Sequence, residues 1–515
     1  MSRYLFFILL VSILNRTVPQ STLTSCSNFR ILKAELPMDS VLREAAHVCP
    51  SERQVAWQEL EFTVFIHFGM NTFTGREWGL RNEDPAHFNP AELDAGQWAR
   101  TAKMAGAKLL IMVAKHHDGF CLWQTKYTDY SVKQSPWKEG KGDVIAEVAA
   151  ACREQGIKLG IYMSPWDISS PIYGTDFYNE HFINQLRELL TQYGEISEVW
   201  FDGACGEGPN GKRQLYDWTG YYQVVRELQP DAVIAIMGPD VRWVGTESGY
   251  GRETEWSVIP ISASFLDKLN SNPNASIADG IFDPPGDLME PYLGSREKLQ
   301  DAAALMWYPS EVDVSIRPGW FYHDNEDSLV KSPEKLVDIY FSSVGRNSVL
   351  LLNLPPDKRG LIHENDIKSL EGMTTILEGT FKTNLAQTAK ISIVSKAGTS
   401  DIMNMVDEDN KTFWQPNQKN LPLIIEFDFG TEKFFDCLKL QENFRNGQRV
   451  ENFILEIWQD GNWQKTAEGT TIGYQRLLRF EPAKARKARL VISAARDIPE
   501  ISTIGFYKTA GPISE

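Results

Sequence analysis

The 515-residue chain carries 52 basic and 68 acidic side chains, a net charge of −16, with 42% hydrophobic and 23% charged residues. This excludes wholesale disorder, collagen-like and coiled-coil classes. The negative balance argues against a protein whose main task is gripping nucleic acid or an anionic membrane surface. At about 150 residues per domain the length fits roughly three domains, or one large barrel plus a smaller module. The 15 Trp, 17 Tyr and 26 Phe supply either a large core or flat apolar walls for sugar rings.

Residues 1–14, MSRYLFFILLVSIL, place Arg3 ahead of an apolar run from Tyr4 to Leu14. The run is too short to span a bilayer and has the proportions of a signal-peptide core; a buried N-terminal helix is the competing reading. A signal peptide over residues 1–26 is expected, and with it an extracytoplasmic protein, whether secreted, periplasmic or lipid-anchored. Leu23-Thr24-Ser25-Cys26 is similar to a bacterial lipoprotein cleavage box, which would leave a lipid on Cys26. No other segment is long and apolar enough to cross a membrane. Without Cys26, Cys49, Cys121, Cys152, Cys205 and Cys437 remain. An odd number with no CxxC spacing points to neither a disulfide framework nor a zinc site, so buried thiols are expected.

From about residue 55 to 375, short apolar runs alternate with helical stretches. Phe62–His67, Leu109–Ala114, Leu159–Met163, Val199–Asp202, Val233–Met237 and Val349–Leu352 read as buried strands. Leu93–Ala105, Asp143–Gln155, Tyr178–Tyr193, Tyr216–Leu228 and Pro333–Val344 have helical periodicity. This alternation indicates parallel strands with crossover helices, an α/β class. A (β/α)8-like barrel over residues 50–378 fits the length, with a doubly wound sheet as the alternative. Residues 260–330 are irregular, and their strands cannot all be placed. Over residues 379–515 the texture changes to short alternating segments, Ile424–Phe429, Phe453–Trp458, Arg476–Phe480 and Arg489–Ile492, with a turn at Asp460-Gly461-Asn462. That pattern reads as an all-β sandwich, with Thr380–Ser400 as a candidate linker strand.

In a parallel barrel, chemistry sits where strands end and βα loops begin. The first strand is followed by His67, then Glu77-Trp78, and the second by Lys115-His116-His117-Asp118. The third leads to Tyr162, then Trp166-Asp167, the fourth to Trp200-Phe201-Asp202, and the fifth to Asp240-Val241-Arg242-Trp243, then Glu247. Ionisable and aromatic groups thus recur at one end of five consecutive strands, which marks an active site. A metal could take His67, His116, His117, Asp118 or Asp202. However, adjacent His116 and His117 would point to opposite faces of an extended segment, and no HExxH or HxH spacing occurs. No metal is therefore expected. A phosphate site would need a Gly-rich loop opening a helix, and none follows these strands. Two carboxylates among His and Trp match glycoside hydrolysis.

The runs FTVFIHFGMNTFTGREWG, AKHHDGFCLWQTKYTDYSV, GIYMSPWD, EVWFDGA, GPDVRWVGTESG, EVDVSIRPGWFYH and SVGRNSVLLLNLPPDKRGLI together resemble the α-L-fucosidases of glycoside hydrolase family 29. The last three are similar to the branch that prefers α-1,3 and α-1,4 linkages, and the Lys-Trp-Glu-x-Cys signature of the animal lysosomal branch is absent. The C-terminal segments WQP, IEFDFG, RVENF and ISTIGFYK resemble a discoidin-like galactose-binding sandwich. The resemblance implies a retaining exo-fucosidase in which Asp202 is the nucleophile and Glu247 the acid/base. Glu77 is the rival acid, or else holds a hydroxyl or orients a His; Glu207 and Glu253 are surface candidates. It also implies substrate contacts from His67, His116, His117, Tyr162, Trp78 and Trp200. Trp320 would pack on the sugar's methyl edge, and Arg242 would position Glu247. No cofactor is required on this reading. Calcium is known in the sandwich fold, but no oxygen-ligand loop is readable. Fucosylated glycans are the expected partners, and a lectin-like protein that binds them without cleavage is the alternative. Asn274-Ala275-Ser276 and Asn410-Lys411-Thr412 are glycosylation sequons.

Overall fold

The computed structural model describes residues 27–81, 83–272, 274–275, 292–394 and 401–511. The signal peptide and the lipidation reading of Cys26 lie outside these residues. Eight parallel strands form a nearly closed barrel: β1 (Phe62–Ile66), β2 (Leu109–Lys115), β3 (Lys158–Met163), β4 (Glu198–Phe201), β5 (Val233–Ile236), β6 (Arg242–Trp243), β7 (Ser310–Ser315) and β8 (Val349–Asn353). They pair in the order β5-β4-β3-β2-β1-β8-β7-β6. The seam between β5 and β6 is bridged by Asp240, whose Oδ2 accepts the Ile234 N–H at 2.8 Å.

The first five strands and β8 are almost continuously buried apolar runs, as strands covered on both faces must be. The outer layer includes α1 (Ala95–Met104), α2 (Val144–Gln155), α3 (Phe177–Gln192), α4 (Trp218–Leu228), α5 (Pro333–Ser343) and α6 (Glu364–Phe381). Asp94, Asp143, Asp217 and Ser332 each accept a first-turn N–H, which starts α1, α2, α4 and α5 where the sequence changes period. β7 falls in the irregular stretch 260–330, and β6 in the segment expected as a loop after the fifth strand. β6 has only two residues, and β7 is Ser-Glu-Val-Asp-Val-Ser with every residue buried. Polar side chains inside a barrel defeat any reading that equates burial with hydrophobicity.

The C-terminal domain is antiparallel: β9 (Lys390–Ile393), β10 (Leu423–Glu442), β11 (Val450–Gln459), β12 (Asn462–Gly469), β13 (Arg476–Ala495) and β14 (Ile501–Tyr507). The order is β9-β10-β13-β11-β12, with β14 added on β10. Arg476–Phe480 and Arg489–Ile492 are the two ends of one 20-residue strand rather than separate strands. Asp460 and Gly461 both have positive φ (52° and 81°), the two-residue hairpin turn that matches strand twist. Of the expected linker strand, Thr380 and Phe381 belong to α6, Leu385–Thr388 form a 3₁₀ turn, Lys390–Ile393 are β9, and residues 395–400 lie outside the described residues.

Cys121, Cys152, Cys205 and Cys437 are free thiols. Cys49 is not: it is disulfide-bonded, and residue spacing carries no signal for a single isolated bridge. Among the described residues no helix is long and apolar enough to cross a membrane.

Candidate active site

The C-terminal ends of the barrel strands open into a cavity of about 420 Å³, within the ~300–1,000 Å³ range of small-molecule sites. His67 reaches it from the end of β1, His116 and His117 from β2, Tyr162 from β3, Trp200 and Asp202 from β4, and Asp313 from β7. Loops after β1, β6 and β7 add Glu77 and Trp78, Glu247, and Trp320.

Asp202 is held by two donors. The Tyr162 hydroxyl donates to Oδ2 at 2.9 Å, and the Ala204 N–H donates to Oδ1 at 2.7 Å. Burial and the Asp202 charge keep the Tyr162 phenol well above its ordinary pKa, so it stays a donor. The carboxylate is therefore locked in rotation while a quarter of its side chain (24%) faces the cavity.

The histidines are neutral, and their neighbours decide their tautomers. Asn353 Nδ2 donates to the Trp320 carbonyl at 2.8 Å and to Ser315 Oγ at 2.9 Å. Because a carbonyl can only accept, this fixes the amide, and Asn353 Oδ1 must face His67 Nδ1, 2.8 Å away. His67 Nδ1 therefore carries the proton and Nε2 is a bare acceptor. Burial pushes His67 down to about 3. Ser164 works the same way on His117. Its only proton goes to the Trp166 carbonyl at 2.7 Å, so it accepts from His117 Nδ1 at 2.7 Å. Burial also lowers His116 and His117. His117 Nε2 then lies 3.8 Å from Asp202 Oδ2, too far for a hydrogen bond.

Trp200 forms part of the floor. It stacks on Tyr162 at 5.2 Å and 27° and meets the edge of Phe65 at 5.1 Å. Its N–H points down to Glu311 Oε2 at 2.7 Å. Glu311 faces Glu198, which accepts from the Trp57 N–H at 2.8 Å. Burial and mutual repulsion push Glu311 well above the carboxylate range, and burial pushes Glu198 to about 7. Two adjoining buried acids do not both ionise readily, which favours the protonated form of Glu311.

Glu247 is exposed on its loop and takes one hydrogen bond there, from the Trp320 indole N–H to Oε2 at 3.0 Å. Glu77 is differently committed: Oε2 accepts the Trp320 backbone N–H at 2.9 Å and Oε1 accepts from His323 Nε2 at 2.6 Å. Both its oxygens thus hold the Trp320–His323 segment. Asp313 accepts the Trp243 N–H at 2.8 Å, and burial, with the Glu247 charge nearby, pushes its carboxyl well up.

A model of the α-L-fucosidase family matches residues 44–380, and one of the F5/8 type C domain matches residues 388–504. The chain belongs to the α-L-fucosidase family. It is 42% identical over 467 residues to α-L-fucosidase 1 of Arabidopsis thaliana, covering 89% of this chain and 87% of the relative. A Ruminococcus gnavus fucosidase of glycoside hydrolase family 29, solved in complex with fucose, superposes with a TM-score of 0.78 at 33% identity, covering 91% of this chain and 96% of that one. A structure named SpGH29 gives 0.79 at 39%, covering 90% and 98%. The chain is thus a glycoside hydrolase of that family, with a discoidin-like second domain.

The cavity gathers every expected catalytic and substrate-binding residue except Arg242, whereas Lys115, Asp118, Trp166, Asp167, Asp240 and Trp243, also near strand ends, do not line it. The Arg242 guanidinium is 1% exposed and paired to Glu255, so the expected contact with Glu247 is not made. Glu253 is engaged by Arg346 and Arg476 at the domain interface, and Glu207 is not among the cavity's lining residues. His116 and His117 do not diverge. An irregularity in β2 between Val113 and Lys115, followed by a turn, brings both rings to one wall, 4.1 Å apart. Among the described residues, no three metal-ligating side chains converge. Sequence reasoning missed Asn353, Asp313 and His323. Asn353 was findable as the polar residue that ends β8, whereas Asp313 lies inside β7, a strand with no apolar run to mark it. His323 has no local signal, because only the fold brings it to Glu77.

Proposed function

We propose that this family member is a retaining exo-α-L-fucosidase that removes terminal α-1,3- or α-1,4-linked L-fucose, with Asp202 as nucleophile and Glu247 as acid/base. The observation that carries this is a pair of carboxylates on separate loops of one cavity. Asp202 is fixed by Tyr162 and Ala204, and Glu247 by the Trp320 indole. A binding module has no need of both.

In the first step Asp202 attacks the anomeric carbon as the bond to the leaving oxygen breaks, and Glu247 gives that oxygen its proton. In the second step Glu247 takes a proton from water, whose oxygen displaces Asp202 and restores the original configuration. The bare Nε2 atoms of His67 and His117 accept from sugar hydroxyls. Trp320 and Trp78 supply apolar walls, Trp320 against the C6 methyl that distinguishes fucose from galactose. Proton NMR of the first-formed sugar tests the stereochemistry: α-fucose supports retention, and β-fucose sinks it.

The linkage preference rests on the GPDVRWVGTESG, EVDVSIRPGWFYH and SVGRNSVLLLNLPPDKRGLI motifs. Release of fucose from α-1,3/4-branched trisaccharides should far exceed release from an α-1,2-linked one; equal rates would overturn the assignment. An extracytoplasmic location is supported by the disulfide at Cys49, since such bonds persist in oxidising compartments.

A further inference from the structure

The loop that carries Glu247 is closed at its base by a buried ion triad that the second domain grips. Glu247 lies between Arg242 and Arg252, and both guanidiniums pair with Glu255. All three side chains are at most 2% exposed. The backbone around Glu255 is in turn fastened to the sandwich. The Glu255 N–H donates to Thr471 Oγ1 at 3.2 Å. Gln448 Nε2 donates to the Glu255 carbonyl at 2.9 Å, and Gln448 Oε1 accepts the Ser257 N–H at 2.8 Å. Thr254 and Thr470 share a hydroxyl bond of 2.7 Å, and Arg476 pairs with Glu253 and donates to its carbonyl at 2.6 Å. The Arg496 guanidinium lies 3.3 Å from the Trp256 ring centroid. Every residue from Glu253 to Ser257 thus has a partner on the sandwich. Asp202, by contrast, takes its hydrogen bonds from Tyr162 and Ala204, both of the barrel.

We propose that Gln448 and Thr471 of the sandwich are positioning residues for Glu247, acting through Glu255 and its two arginines. The inference rests on the acid/base assignment above. An exposed carboxylic acid on a loop must still stand within hydrogen-bond reach of the leaving oxygen, and small misplacements are costly. Loosening the base of this loop displaces the proton donor and leaves the nucleophile in place. The defect should therefore be selective. Leaving groups that need a proton suffer, and those that depart as stable anions do not.

The test uses the full chain and two fucosides, one with a strongly acidic phenol as leaving group and one with an alkyl or sugar leaving group. kcat/KM is compared because it reports the bond-breaking step. Thr471→Val removes the hydroxyl at nearly constant shape, Gln448→Leu removes both amide bonds, and Thr471→Ser keeps the hydroxyl as a control. In the double variant Gln448→Leu/Thr471→Val, kcat/KM on the unactivated fucoside should fall about 10-fold further than on the aryl fucoside. Thr471→Ser should keep the wild-type ratio. Equal losses on both substrates, or none on either, would overturn the proposal. Should the double variant fail to fold, Thr471→Val alone serves for the same ratio. A wild type inactive on both substrates defeats the fucosidase reading instead, and a Glu247→Ala variant without this selectivity defeats the acid/base assignment.

Discussion

The barrel and the sandwich bury polar side chains in different ways. Along β10, Leu423, Ile425, Phe427 and Phe429 are buried while Ile424, Glu426 and Asp428 are half-exposed, the period-two pattern of a sheet with one wet face. Where the sandwich does bury an acid, it surrounds it with donors. Glu442 accepts the N–H groups of Arg449 at 3.0 Å, Val450 at 2.9 Å and Gly473 at 2.8 Å. The barrel instead buries all six residues of β7 and leaves its acids under-supplied. Glu198 and Glu311 each accept one indole N–H while facing each other, and Asp313 is given one indole N–H before facing the cavity. A carboxyl with every acceptor site filled is structural, whereas one with an open side toward a cavity keeps its chemistry.

The sharpest way to break this comparison is at the nucleophile. Asp202→Gly should cost at least about 10⁴-fold in kcat on an aryl fucoside while thermal unfolding stays near wild type; appreciable residual turnover would place the nucleophile elsewhere. Glu247→Gln should lose about 10²–10⁴-fold on an unactivated fucoside, and azide should restore turnover of the aryl substrate. Asn353→Leu removes the acceptor that sets the His67 tautomer. A loss of roughly 10–100-fold in kcat/KM is expected, and an unchanged value would mean the tautomer does not matter.

On the sandwich side, Glu442→Gln turns an amide NH₂ against backbone N–H groups. It should lower unfolding free energy by about 1–3 kcal/mol in urea titrations and leave kcat of the folded protein within about twofold. A pH-dependent effect concerns Asp118, a barrel acid that burial pushes up to about 8. Its folded pKa lies above the unfolded value, so the stability it contributes is present below pH ~4 and lost as pH rises toward 8. Asp118→Asn, which does not titrate, should match wild type near pH 4 and gain on it steadily as pH rises to 8. Parallel stability curves for the two proteins would refute the buried-acid account.

How much of this was legible follows from the kind of signal each residue carries. Six barrel strands announce themselves as apolar runs, and the groups at or just past their ends include Asp202, His67, His116, His117, Tyr162 and Trp200, all in the cavity. β6 was illegible because it has only two residues, and β7 because Ser310, Glu311, Asp313 and Ser315 flank its two valines. Arg242 was found for the wrong partner. Its place before Glu247 was readable, but its bond to Glu255 was not, since a loop's return path depends on what it packs against.

The sequence by itself determined the alternation of strands and helices, the change to antiparallel pairing, the strand end at which polar groups collect, and the family. These follow from local periodicity and from short motifs. Only the tertiary structure decided which nitrogen of His67 holds the proton, that Glu77 serves His323, and that the second domain grips the base of the Glu247 loop. Each depends on partners far apart along the chain: Asn353 is 286 residues from His67, and Gln448 is 193 from Glu255. Hydrogen bonds act over about 3 Å in space, and only the closed fold converts such separations into contact.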